Sequence, residues 1–243
     1  MIELGIINVN TSSGMTTTMV QAAERVAAPD ITIHGITPSL GPVSVESHVE
    51  ASFSVVGMLQ AINSFEHIDG IDAWILGGFG DAGKEALMEN CRAPVIDITE
   101  AAAITAMQLG ANFGILTTLS RTISGIRDRL LTAGLLQRCV GIAATEIAVL
   151  DLESDQEVLL AALCEKADSL LRSGAEALCL GCGGMAGIAP LLSKRLGIPV
   201  VDGVTAAVGQ AEALVRQGLS TSRINTYQYT PPKPMVGFDF CHP

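Results

Sequence analysis

A cysteine enters a glycine-rich turn, Gly181-Cys182-Gly183-Gly184-Met185, directly after an apolar run at Ala177–Gly181. A thiol at a strand end that faces free backbone N–H groups, with a helix starting soon after, has a lowered pKa and a larger thiolate fraction. The same N–H groups suit an enolate or carboxylate oxygen. Cys182 is therefore read as a reactive thiol and not as a small buried hydrophobe. Cys91, Cys139, Cys164 and Cys179 fall inside apolar runs and read as buried, reduced thiols. Cys179 and Cys182 form a C-x-x-C pair. However, Cys179 lies within the strand and no second pair has matching spacing, which argues against redox and zinc roles.

Two glycine-rich loops raise nucleotide binding as a rival. Gly78-Phe79-Gly80-Asp81-Ala82-Gly83 matches G-x-G-x-x-G, and Gly181-Cys182-Gly183-Gly184-Met185-Ala186 matches its alanine-ended form. Each precedes a strand ending in an acid, Asp97 or Asp202. Against this rival, both loops follow a third strand and not a first one, and Asp81 would put negative charge into a phosphate loop. Asp97 and Asp202 read as strand-end caps. Asn8, Asn10, Thr11, Ser12 and Ser13 follow the first strand, and Thr117, Thr118 and Ser120 follow another. Such neutral groups either hydrogen-bond a ligand amide or carboxylate or cap helices. Gly41-Pro42-Val43-Ser44-Val45-Glu46 is a turn placed to lid a cleft; there Ser44 either touches a ligand or caps the next helix, with Glu46 in its first turn. His34, His48 and His67 have no partner in sequence and read as surface or satisfied histidines.

The elements that must hold these groups alternate regularly. Strands are expected at Glu3–Val9, Ile31–Ile36, Ala73–Gly77, Val95–Ile96, Phe113–Thr117, Val140–Ala143, Ala177–Gly181 and Val200–Val201. Helices are expected near 14–27, 46–65, 84–90, 99–109, 121–134, 154–172, 187–196 and 204–217, with a capping box at Ser154 and Glu157. This alternation predicts parallel sheets covered on both faces.

An internal repeat refines the prediction. WILGGFGDAG at 74–83 matches LCLGCGGMAG at 178–187, and PVIDITEAAA at 94–103 matches PVVDGVTAAV at 199–208. The fold class is therefore α/β, with two pseudosymmetric Rossmann-like halves, each with a central parallel sheet flanked by helices. The first half takes 1–98 plus 205–243 and the second 99–204. Ligands of such sheets bind beyond the carboxyl ends of the strands, so an active site is expected in a cleft between the halves.

Composition limits the partners. With 14 basic against 25 acidic residues the formal charge is −11, which argues against nucleic acid and anionic membrane surfaces. The uncharged stretch Ala101–Ser120 contains Gln108, Gly110 and Asn112, so it reads as helix, turn and strand and not as a membrane span. The start Met1-Ile2-Glu3-Leu4 lacks a basic n-region, and six cysteines mostly in apolar runs fit a reducing compartment. A cytoplasmic protein is expected.

Seven segments in order are similar to the aspartate/glutamate/hydantoin racemase superfamily, and more closely to its hydantoin and allantoin racemase branch. They are Ile7-Asn8-Val9-Asn10-Thr11-Ser12, the Gly41–Glu46 turn, Phe79-Gly80-Asp81, Gly114-Ile115-Leu116-Thr117-Thr118, Val149-Leu150-Asp151-Leu152-Glu153, Leu180–Met185 and Pro199–Val204. The resemblance covers nearly the whole chain. It implies cofactor-independent proton transfer at a carbon next to a carbonyl, in a homo-oligomer, on a small hydantoin-, amino-acid- or carboxylate-like substrate. No metal, pyridoxal phosphate or nicotinamide is implied. Family members place one cysteine in each half, on opposite faces of that carbon. Cys182 matches the second, while the repeat puts Gly78 where the first would stand. Asn10, Ser44, Phe79, Gly80, Thr117, Thr118, Gly183, Gly184 and Met185 are the expected substrate-binding positions. Because glycine carries no proton, three readings follow: Asp81 or a water serves the first face; the chain is an impaired racemase that only binds ligand; or it resembles arylmalonate decarboxylase, with a single cysteine.

Overall fold

Short apolar runs become strands where helices cover both faces of a sheet. The computed structural model describes residues 1–80, 83–152, 154–231 and 233–238. In it β1 (Ile2–Ile7), β2 (Ile31–Ile36), β3 (Ala73–Leu76) and β4 (Val95–Asp97) form a parallel sheet in the order β2-β1-β3-β4. A second parallel sheet holds β5 (Phe113–Thr117), β6 (Cys139–Ala144), β7 (Ala177–Leu180) and β8 (Val200–Asp202) in the order β6-β5-β7-β8. The register repeats as well: Ile7 lies opposite Leu76 in one sheet and Leu116 opposite Leu180 in the other. The sequence repeat is thus a repeat of topology, and the α/β class with two helix-flanked parallel sheets is as expected.

Two compact units result, Met1–Gly77 with Ala82–Asp97 and Val208–Pro243, and Gly78–Asp81 with Ile98–Ala207. The first unit carries α1 (Ser13–Glu24), α2 (His48–Asn63) and α3 (Lys84–Asn90). The second carries α4 (Ile98–Leu109), α5 (Ile123–Thr132), α6 (Gln156–Arg172) and α7 (Ala189–Leu196); α8 (Gly203–Arg216) follows β8.

Strand periodicity sorts the core of the second unit. Leu178 and Leu180 of β7 enter a cluster with Leu160 and Leu163 of α6 and Leu192 of α7. Ala177 and Cys179 point the other way, into a cluster with Ala102 and Ala106 of α4 and Leu130 of α5. Phe113 is fully buried in the latter, and truncating such a side chain to alanine costs about 3–5 kcal/mol. In the first unit, Trp74 of β3 packs with Met58 and Ile62 of α2, Ile7 and Leu87. Its ring lies where a Cβ on Gly5 would come within 2.5 Å, so the neighbouring strand must carry glycine there.

Element ends differ from expectation by a few residues, for visible reasons. Gly187 has φ +87°, so α7 begins at Ala189 and not at 187. A 3-10 turn at Ser120–Thr122 takes the start expected for α5. Ser154 does not cap α6. Asp155 does, accepting from the N–H groups of Glu157 and Val158, while the Ser154 hydroxyl donates to Asp151 O. The backbone turns at Asp155, which is extended at φ −152° and ψ 105°, and so sets its side chain at the first free N–H groups. No helix among the described residues is long and apolar enough to cross a membrane.

Candidate active site

The Cys182 loop is an extension of the sheet. The Gly181 N–H donates to Leu116 O at 2.7 Å, continuing the β5–β7 ladder past the end of β7. A Cβ on Gly181 would stand 2.8 Å from that same oxygen, a backbone atom that cannot swing aside. Glycine is therefore required just before the thiol. Cys182 itself is extended, with φ −159° and ψ 137°. The chain then tightens into a 3-10 turn at Gly183–Met185, with the Met185 N–H on Cys182 O and the Ala186 N–H on Gly183 O, both at 3.1 Å.

This corrects part of the sequence argument. α7 starts seven residues beyond Cys182, with the 3-10 turn at Gly183–Met185 between them, so the N–H groups that follow the thiol directly are those of that turn. Among the described residues, the N–H groups of Gly183 and Gly184 donate no hydrogen bond, whereas that of Met185 is committed. Cys182 is half-buried and packs against the cluster holding Leu152 and Met185. A Cβ on Gly184 would meet the Leu152 side chain at 3.0 Å and sit 3.6 Å from the Cys182 sulfur, so the bare glycine leaves the thiol approachable. The loop closes where the Gly187 N–H donates to Asp202 Oδ2 at 2.6 Å; Asp202 Oδ1 also takes the Val204 N–H at 2.8 Å. Asp202 is thus a strand-end cap, as its position suggests. Asp97 is buried at the end of β4.

The loop after β5 lies against this one. The Thr117 hydroxyl donates to Gly181 O at 3.3 Å and lies 3.4 Å from the Thr122 hydroxyl. Its main work is bracing the cysteine loop. Thr118 is buried, and its hydroxyl forms no hydrogen bond among the described residues. Thr118 therefore keeps the better free hydroxyl of the two.

Gly78, Phe79 and Gly80 belong to the second compact unit although they follow a strand of the first. Gly77 repeats the Gly181 device: its N–H donates to Ile7 O at 2.9 Å, and a Cβ there would come 3.0 Å from that oxygen. Counting two residues past Leu76 and past Leu180 in matched registers puts Gly78 at the place of Cys182. The Gly80 N–H is committed to the Thr99 hydroxyl at 2.9 Å, which removes it from the expected backbone donors. Phe79 packs on the cluster that contains Phe113 and Ile126. Asp81 and Glu153, both singled out from the sequence, lie outside the described residues.

In the first unit, Asn10 shapes its own loop. Its Oδ1 accepts the Ser12 N–H at 2.9 Å, and one amide hydrogen points to Met15 Sδ at 3.3 Å. Thr11 ties that loop to the Gly41–Glu46 turn through Pro42 O, 3.0 Å from its N–H. Ser44 does not cap α2. Ser47 does, and Glu50 of the first turn receives the Glu46 N–H at 2.7 Å. The Ser44 hydroxyl has no hydrogen-bond partner among the described residues.

The remaining thiols are passive. Burial pushes Cys91 up to about 12 and raises Cys179 further, and Cys139 is raised for the same reason. Cys241 lies outside the described residues. Sequence reasoning missed Thr99, Thr145, Glu146 and Leu152 as loop supports; Thr99 and Leu152 fell inside quoted segments, and Thr145 and Glu146 did not.

The comparisons agree with this geometry. The family model described as Asp/Glu/hydantoin racemase matches residues 4–211. A hydantoin racemase from Pseudomonas sp. (strain NS671) is 36% identical over 236 residues, covering 97% of this chain and 94% of that protein. The crystal structure of allantoin racemase from Pseudomonas fluorescens is 45% identical with TM-score 0.94, covering 97% of this chain and all (100%) of that one. An arylmalonate decarboxylase structure shares the fold at 20% identity and TM-score 0.61, over 93% of this chain and 96% of that one. The chain belongs to the Asp/Glu/hydantoin racemase family, in its hydantoin/allantoin racemase-like branch.

Proposed function

We propose that the protein is a cofactor-independent racemase or epimerase-type isomerase that moves a proton at the carbon next to a carbonyl, on a small compound such as a 5-substituted hydantoin or allantoin. The hydantoin and allantoin racemases among its relatives support a racemase. The observation that carries the site is the pairing of an approachable Cys182 with the uncommitted N–H groups of Gly183 and Gly184. In the proposed step, the Cys182 thiolate takes the proton from carbon, and the C–H electron pair moves into an enolate. The two N–H groups stabilise the developing oxyanion, the kind of donor whose loss costs about 10²–10³ in rate elsewhere. The Thr118 hydroxyl hydrogen-bonds a ligand carbonyl. Return of the proton from the Cys182 thiol to the same face regenerates substrate; delivery of a proton to the other face from water, since Gly78 has none to give, inverts it, and the Cys182 thiol then loses its proton to solvent.

A second reading rests on Gly78, which sits in register with Cys182 and has no proton to give. On that reading Cys182 protonates one face only, as in a decarboxylase-like enzyme with a single cysteine, or the chain binds ligand without turnover. A cytoplasmic homo-oligomer is part of the proposal.

The deciding experiment follows single enantiomers of 5-substituted hydantoins and allantoin in deuterated water, with NMR for hydrogen loss and polarimetry for inversion. Exchange with inversion, abolished in Cys182→Ser, is the expected result. Exchange without inversion favours the one-face reading. Neither signal on any substrate would sink the hydantoin assignment.

A further inference from the structure

Glu146 follows β6, outside any helix or strand, and has φ +62°, in the left-handed region. A residue with a Cβ stays there only where its surroundings hold it. Glu146 is exposed, so packing supplies no reason. Its hydrogen bonds do. The Glu146 N–H donates to Thr118 O at 2.7 Å. The Glu146 carboxylate accepts both the N–H of Ser120, at 3.2 Å, and the Ser120 hydroxyl. Thr145 adds its N–H to Thr117 O at 3.0 Å, and its hydroxyl lies 3.4 Å from Thr117 O and 3.3 Å from Thr118 O. Two adjacent residues therefore fix both threonine carbonyls and the Ser120 N–H. The Thr118 hydroxyl, on the backbone that these bonds hold, forms no hydrogen bond among the described residues.

We infer that Glu146 is a positioning residue: by holding the backbone of residues 117–120 it presents the Thr118 hydroxyl to a carbonyl-bearing ligand. This deepens the proposed function and rests on it. Glu146 does not itself touch the ligand. Its contribution is to binding through Thr118, so its loss raises KM more than it lowers kcat.

Three variants at this exposed position test the inference: Glu146→Ala, Glu146→Gln and Glu146→Gly. Turnover of a 5-substituted hydantoin or allantoin is measured alongside backbone hydrogen exchange of the segment 117–122. Affinity is also measured by calorimetry on proteins carrying Cys182→Ser. In Glu146→Ala, KM and the dissociation constant rise about tenfold, kcat stays within about twofold, and exchange of the segment speeds up. Glu146→Gln keeps an acceptor for the Ser120 N–H and recovers most of the loss. Glu146→Gly relieves the backbone but behaves like the alanine variant, which assigns the effect to the side chain. Unchanged KM and affinity with faster exchange would make the role merely structural, and unchanged exchange would mean that Glu146 does not hold the loop; either result overturns the inference. A wild-type protein that neither turns over nor binds any of these compounds removes the function reading and this inference together. That outcome is distinct from an active wild type matched by all three variants.

Discussion

Gly77-Gly78 and Gly181-Cys182 follow the third strand of their respective sheets, and each is built by the same means. In both, the first glycine donates its N–H to the last residues of the central strand and comes too close to that strand for a Cβ. In both, a residue near the end of the fourth strand takes an N–H further along: Thr99 for Gly80, Asp202 for Gly187. The difference is one side chain, a thiol in the second loop and none in the first. The backbone frame is thus separable from the side chain it carries, and the first unit repeats the frame of the second without the thiol.

Exchanging the difference is the most direct way to break the comparison. Cys182→Gly makes the second loop like the first; turnover should fall by about 10²–10⁴-fold, the usual worth of one positioned acid/base, with circular dichroism unchanged. Removing the shared frame should cost stability unevenly. Gly181→Ala presses a Cβ onto Leu116 O at 2.8 Å, whereas a Cβ at Gly77 would meet the Met19 thioether, a side-chain atom, at 2.7 Å and Ile7 O only at 3.0 Å. Urea unfolding should show about 2–3 kcal/mol lost at Gly181 and about 1 kcal/mol at Gly77. The reverse exchange, Gly78→Cys, gives the first loop a thiol; inversion relative to hydrogen exchange should rise about tenfold if that position faces the reacting carbon. An unchanged ratio would mean that the first loop takes no part. The smallest effect belongs to an anchor: Thr99→Val leaves the Gly80 N–H unsatisfied and should cost about 1–2 kcal/mol, read by chemical denaturation.

What the sequence revealed and what it hid divide along the distance between partners. The apolar runs of β1, β3, β5 and β7, buried in their sheets, announce parallel strands, and the matched segments at 74–83 and 178–187 announce the repeat. Cys182 stood out because its neighbours in sequence are its neighbours in space. The supports did not. Glu146 reaches Ser120 across 26 positions and Thr99 reaches Gly80 across 19, and nothing in residue type marks either pair. Caps misled for a subtler reason: Ser44 and Ser47, or Ser154 and Asp155, are equally good capping residues, and only the backbone turn decides which one stands at the first free N–H. The start expected for α7 comes two residues early because a left-handed Gly187 delays the helix.

Trp74 is the only tryptophan in the chain, and it is 1% exposed on β3 of the first compact unit. Its emission therefore reports that unit alone, while the far-ultraviolet dichroism of the helices sums over both. Coincident denaturation curves from the two signals would show the units melting as one cooperative block. An emission change displaced from the dichroism change would reveal an intermediate with one unit folded, in a wild-type protein that needs no added label.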